Sequence, residues 1–197
     1  MYDYRKMTGE ERDAVLRHRK SRRLPWHAPP HFADAPNVYV ISAACFEHRP
    51  LLGTTERLAA FEGRLVHGLL SASWADVRAW VVMPTHYHIL ARLDLNEFRR
   101  WVHRLHNATA TTWNREDQCP GRRVWFRFGD RRIRGERHYW ATVNYLHANP
   151  VRHDFAAKAP EWPFSSVHRY LDDLGKGRLI SLWKEFPVDR YGDGWDD

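Results

Sequence analysis

Residues Asp76–Leu93 read DVRAWVVMPTHYHILARL: two apolar runs, Asp76 to Met83 and His86 to Leu93, separated by Pro84-Thr85. Runs of this length, rich in β-branched and aromatic residues and joined by a short break, form an antiparallel strand pair. Toward the N-terminus, Asn37 to Phe46 (NVYVISAACF) has the same strand character, and Thr55 to about Leu70 sets Leu58, Phe61, Leu65, Val66 and Leu69 at helical spacing. Toward the C-terminus, a helix from Asn96 places Phe98, Trp101, Val102, Leu105 and Ala108 on one face. After the Cys119-Pro120-Gly121 turn, Val124 to about Ile133 reads as a strand and Glu136 to Ala148 as a helix ended by Pro150. From there to Leu171 the chain reads as Pro- and Trp-punctuated coil with one helical turn at most. The order strand, helix, strand, strand, helix, strand, helix is the split βαβ pattern. The expected class is therefore α+β, a ferredoxin-like (RRM-like) antiparallel sheet with packed helices. Many functions share this fold, so the function has to be read from a site.

Composition narrows the choice. The chain has 197 residues, 31 Lys and Arg against 24 Asp and Glu, and a net charge of +7. Its excess is concentrated: Arg99 to Arg137 holds eleven Arg and four carboxylates. A basic protein of this kind suits a polyanionic partner. Apolar runs fall far short of the ~20 residues of a membrane span, and the N-terminus lacks the apolar core of a signal peptide. Cys45 and Cys119 are the only cysteines, too few for a disulfide framework or a cysteine zinc site. The expectation is a cytoplasmic globular protein. Thr8-Gly-Glu-Glu11 reads as a capping box opening a basic helix through about Arg19, with a Pro-rich arm after it. The domain reading is thus residues 1–36 for helix and arm, 37–171 for the main domain and 172–197 for an acidic tail.

The chemistry is concentrated in His86-Tyr87-His88 and Tyr145-Leu-His-Ala-Asn149. Residues two apart on a strand share a face, about 6.5 Å apart, so both imidazoles can close on one cation. A His-x-His pair alone is weak, since roughly one is expected by chance among 13 His, and such a pair is as readily packed on a sheet face. Tyr145 and Asn149, at i and i+4, share a helix face with Cβ atoms ~6 Å apart. An Asn149 oxygen would complete a His₂Asn set with open positions, which suits Mg²⁺ or Mn²⁺ better than structural zinc. Tyr145 would then sit one turn from a Lewis acid, as a nucleophile should. The bland alternative is an ordinary half-buried tyrosine. Tyr87 should point to the opposite face.

At these residues the chain resembles the REP-associated tyrosine transposases, members of the single-tyrosine HUH nucleases. The blocks that carry the likeness are Trp80-Val-Val-Met-Pro-Thr-His-Tyr-His88, Asp130-Arg-Arg-Ile-Arg134, Asn144-Tyr-Leu-His-Ala-Asn-Pro-Val151 and Trp162-Pro-Phe-Ser-Ser-Val-His-Arg-Tyr170. The resemblance implies an HUH nuclease domain over about Asn37 to Leu171, with His86, His88 and Asn149 as ligands of Mg²⁺ or Mn²⁺ and Tyr145 as nucleophile. It departs where family members often carry a Gly after Asn-Pro-Val and this chain has Arg152-His153-Asp154. The implied reaction is cleavage and strand transfer on single-stranded DNA through a 5′-phosphotyrosine. A tyrosine ordinarily titrates near pH 10, so the reaction needs help with its proton, and His147 and His153 are candidate bases. The implied partners are single-stranded DNA and bacterial repetitive palindromic hairpins, bound by a monomer rather than a dimer.

Arg99, Arg100 and Arg104 on the helix, with Arg131, Arg132 and Arg134 near the last strand, are candidates for a phosphate track. Each alone is equally a solvated surface charge. Arg22, Arg23 and Trp26 in the arm could pair and stack with extruded bases. Two other readings stay open: a domesticated hairpin binder that does not cut, and a metal phosphohydrolase using water, for which no carboxylate stands beside the histidines.

Overall fold

The computed structural model describes Thr8, Glu10, Ala14, Arg17, residues 36–189 and Tyr191. The chain divides after residue 34 into two units, and the second, from Ala35 onward, holds the sheet and its helices. Arg22, Arg23, Trp26 and the Pro-rich arm lie outside the described residues, as does most of the expected first helix.

Four strands form one antiparallel sheet: β1 (Asn37–Ala44), β2 (Ala75–Val82), β3 (His86–Leu93) and β4 (Gly129–Arg132), in the order β2-β3-β1-β4. Every pairing is antiparallel, with Ala44 opposite His86, Ser42 opposite His88 and Ser42 also opposite Gly129. This is the ferredoxin-like α+β arrangement expected from the element order. β3 is central, and all its residues except Arg92 are buried. Both faces of the sheet are covered, which is why its sequence reads as a continuous apolar run rather than an alternation.

One face carries α1 (Thr55–Leu70) and α2 (Leu95–Glu116). α1 starts where Thr54 Oγ1 accepts from Arg57 N at 3.2 Å, and α2 where Asp94 Oδ1 accepts from Asn96 N and Glu97 N at 2.8 and 3.1 Å. Phe61, Tyr87, Trp113 and Trp125 form the aromatic centre of this core, with Phe61 5.4 Å from Tyr87 and 5.1 Å from Trp125. Gly68 lets α1 lie against the Trp101 side chain of α2: a Cβ built there would sit 2.7 Å from that ring. The C-terminal end of α2 is clamped to α1 by Arg57, which reaches Asp117 at 2.5 Å and Glu116 at 2.9 Å, while Arg122 reaches Asp117 at 2.6 Å.

The other face packs Val40, Ala79, Val81 and Leu90 against α3 (Glu136–Arg152) and α4 (Val167–Glu185). Three expectations need correction here. The strand expected over residues 124–133 is reduced to Gly129–Arg132. Cys45 bridges Trp125 while Ser42 pairs with Gly129, so an extra residue lies opposite β1 and a bulge breaks the ladder. Pro150 does not end its helix; α3 runs on to Arg152. A proline in the last turn costs one backbone bond only, and the stop comes at Asp154, at φ 59°. Phe155 N donates to Pro150 O at 2.9 Å and Asp154 N to Val151 O at 3.2 Å, the paired bonds of a Schellman cap. An aspartate here takes the left-handed position a glycine would fill.

The third correction is α4, where coil was expected. It crosses residue 171, so that much of the stretch read as an acidic tail is helix, kinked at Gly175 (φ 75°). It is anchored on α3 by the Asn144 amide, which donates to Leu182 O and Phe186 O, both at 2.9 Å. Among the described residues no helix is long and apolar enough to cross a membrane.

Candidate active site

The alternation of β3 turns His86 and His88 toward α3 and Tyr87 toward α1 and α2. Tyr87 is buried there with its hydroxyl 2.9 Å from His106 Nε2, and burial raises its pKa far above the usual range. His86 and His88 are 2 % and 0 % exposed, with ring centroids 5.0 Å apart. Each has Nδ1 engaged by a hydroxyl: Thr85 Oγ1 at 2.8 Å from His86, and Ser42 Oγ at 2.7 Å from His88. When Nδ1–H donates to these oxygens, both Nε2 lone pairs face the space beneath α3.

α3 brings Tyr145 and Asn149 down onto that space, 1 % and 0 % exposed. His86 Nε2 is 2.9 Å from Asn149 Oδ1, and His88 Nε2 is 3.5 Å from the Tyr145 hydroxyl. Asn149 Nδ2 is buried without a hydrogen-bond partner. The amide thus aims its oxygen at an imidazole nitrogen and leaves its buried donor unpaired. No three His, Cys, Asp or Glu side chains gather at metal-binding distance among the described residues; what converges here is two imidazole nitrogens and an amide oxygen, a mixed nitrogen–oxygen donor set. The residues present fit a hard divalent cation.

Cations surround the phenol. Arg152 lies 5.4 Å from the Tyr145 ring centroid and ties back to Val188 O and Tyr191 O at 3.0 and 2.9 Å. The Tyr191 ring is 5.7 Å from that of Tyr145, and its hydroxyl bonds Thr142. Arg131 pairs with Val40 and so emerges on the site face. Burial lowers its pKa, while the nearby phenols of Tyr191 and Tyr145 push it up and Arg134 pulls it down.

The other candidates divide. Arg132, opposite Tyr39, points to the far face of the sheet, and Arg134 is exposed beyond the strand. Arg99, Arg100 and Arg104 are exposed on α2, in the helical layer across the sheet from Tyr145, with Arg100 paired to Glu97. The arginines expected to line one track therefore lie on two sides of the sheet, because α2 returns over the face opposite the histidines. His147 is held by Ser166 Oγ at 3.1 Å and packed on Tyr170, with burial lowering its pKa to about 3. The His153 ring is 5.0 Å from that of His86. Ser42, Thr85 and Arg152 were missed from sequence. Only Ser42 left a trace, as a small polar residue within an apolar strand.

No protein-family model matches the chain. It is 30 % identical over 125 residues to the REP-associated tyrosine transposase of Escherichia coli (strain K12), covering 61 % of this chain and 66 % of that protein. It is 26 % identical over 99 residues to a related protein of Haemophilus influenzae, 45 % of this chain and 56 % of the relative. Among solved structures, a REP-associated tyrosine transposase bound to a REP hairpin matches with a TM-score of 0.57 at 22 % identity, covering 76 % of this chain and 86 % of that one. That likeness bears on the fold.

Proposed function

Because the chain belongs to the REP-associated tyrosine transposases, we propose that it cuts and rejoins single-stranded DNA at hairpin-forming repeats through a covalent bond to Tyr145. The observation that carries this reading is the convergence of four side chains from two layers: His86 with Asn149 at 2.9 Å, and His88 with Tyr145 at 3.5 Å. A relative named a REP-associated tyrosine transposase, and a solved one bound to a REP hairpin, support the substrate class.

Tyr145 Oη attacks the scissile phosphorus in line, the phosphorus–O3′ bond breaks, and the products are a 5′-phosphotyrosine and a free 3′-OH. A second 3′-OH then attacks that ester and restores the tyrosine. Each step exchanges one phosphate ester for another, so no external energy source is needed, and the phenol gives up its proton in the first step and recovers one in the second. A divalent cation, Mg²⁺ or Mn²⁺, held by His86, His88 and Asn149, would polarise the phosphate as a Lewis acid. Ser42 and Thr85 orient the two imidazoles, and Arg152 and Arg131 place positive charge where phenolate and phosphate charge develop.

The test is a denaturing gel of the full chain with labelled single strands carrying the repeats that flank its gene, with Mn²⁺, Mg²⁺ or EDTA. A metal-dependent protein–DNA adduct, absent in Tyr145→Phe, is the expected result; cleavage without an adduct would point to a water-using hydrolase. The burial of Tyr145 under Tyr191 favours one alternative, a hairpin binder that does not cut. Tight binding with neither cleavage nor adduct would select it.

A further inference from the structure

On the same sheet face as the histidines, at the edge beyond β1, stands an aromatic pair that the reaction above does not use. Cys45 bridges Trp125, and both side chains belong to the opposite core. The neighbours Ala44 and Phe126 therefore point to the site face, where Phe126 N donates to Ala44 O at 2.9 Å and Ala44 pairs with His86. Phe126 is thus two strand spacings, about 10 Å, from His86 along one row. Phe46, the residue after Cys45, joins it with ring centroids 4.9 Å apart. Arg123 lies over both rings, at 4.6 Å from Phe46 and 5.2 Å from Phe126, and the His48 ring is 6.3 Å from Phe126.

Both phenylalanines are half-buried, Arg123 and Arg127 are exposed, and Phe46 is followed by two non-glycine residues in left-handed conformation, Glu47 (φ 56°) and His48 (φ 50°). Such turns cost energy and recur at ligand-holding sites. Gly129, opposite Ser42 on the same face, carries no side chain, and a Cβ built there meets nothing within 4 Å. The surface beside the His88 row is open.

We infer that Phe46, Phe126 and Arg123 form a stacking site for an unpaired nucleobase of the strand whose phosphate lies at His86, His88 and Tyr145. Aromatic faces with a guanidinium over them suit a flat π-surface joined to a phosphate, because the rings take the base and the cation takes either the base face or the backbone. A paired base in a duplex presents no free face, so the site selects single strand. The inference rests on the DNA-cleaving reading above.

The experiment uses the full chain and oligothymidine bearing one 2-aminopurine, whose fluorescence is quenched on stacking. Phe46→Leu and Phe126→Leu keep apolar bulk but remove the π-face, and Phe126→Trp keeps it. Wild type and Phe126→Trp should quench the probe. Each leucine variant should lose the quench and bind about tenfold more weakly, with duplex binding unchanged. Equal affinity and quenching in the leucine variants would overturn the site, as would equal losses on single strand and duplex. Adduct formation on the repeat hairpin, run in parallel, separates the two claims. Adducts with unaltered stacking sink this site alone; a wild type that neither forms adducts nor binds single strand sinks both.

Discussion

Ser42→Ala should raise the metal concentration the reaction needs without touching any group that meets DNA. Ser42 Oγ is 2.7 Å from His88 Nδ1, and His88 is wholly buried. Deleting the hydroxyl strands a buried ring nitrogen, which costs about 1–3 kcal/mol. It also frees the imidazole to rotate or change tautomer, which turns the Nε2 lone pair away from Asn149 and Tyr145. Partners of this kind are worth roughly 10- to 100-fold in metal affinity, the same range as that penalty expressed as an equilibrium constant. The assay is adduct yield against Mn²⁺ concentration, supported by calorimetric Mn²⁺ titration without DNA. The half-saturating Mn²⁺ concentration should rise about tenfold or more, with the yield at saturating Mn²⁺ largely recovered, and Thr85→Ala should do the same through His86. Coincident Mn²⁺ curves for Ser42→Ala and wild type, in a variant melting at the wild-type temperature, would show that the Ser42 hydroxyl does not hold His88 for a metal.

Three further outcomes follow from the packing. Gly68→Ala should lower the melting temperature despite the ~1 kcal/mol that alanine offers a helix, because its Cβ would sit 2.7 Å from Trp101; in a Trp101→Ala background the same change should stabilise. Asp117 is held down at about 2 by hydrogen bonds from Arg57 and then Arg122. A carboxyl depressed on folding stabilises above its unfolded value and loses that contribution as pH falls toward 2, so melting curves between pH 4 and 2 should fall more steeply for wild type than for Asp117→Asn. Asp154→Gly should raise stability by about 1 kcal/mol in urea, since Asp154 sits at φ 59° where a side chain is strained; an unchanged midpoint would show that the turn tolerates it.

Much of the fold was legible because its signals are local. The apolar spacing of α1 and the runs of β2 and β3 name their elements almost to the residue. β4 was over-read because a bulge is a property of two strands: nothing in Val124–Phe128 announces the extra residue that its pairing with β1 creates. α4 was missed because Gly175 and Gly177 read as breaks and only Val167, Tyr170, Leu179 and Leu182 are buried along it, too sparse for a clear stripe. The four central site residues were legible as two spacings, i to i+2 on a strand and i to i+4 on a helix. Ser42, Arg152 and the Phe46–Phe126 pair were not, since each acquires its neighbours through register or through the path of a loop.

In the proposed reaction Tyr145 carries the DNA. Peptide mass spectrometry of the protein after reaction with a repeat-bearing single strand tests it directly, because trypsin releases residues 138–152 as one peptide holding both Tyr139 and Tyr145. A nucleotide mass on that peptide, placed at Tyr145 by fragmentation and lost in Tyr145→Phe, is the predicted result. An adduct on Tyr139, Tyr87 or Tyr191, or one that persists in Tyr145→Phe, would contradict it.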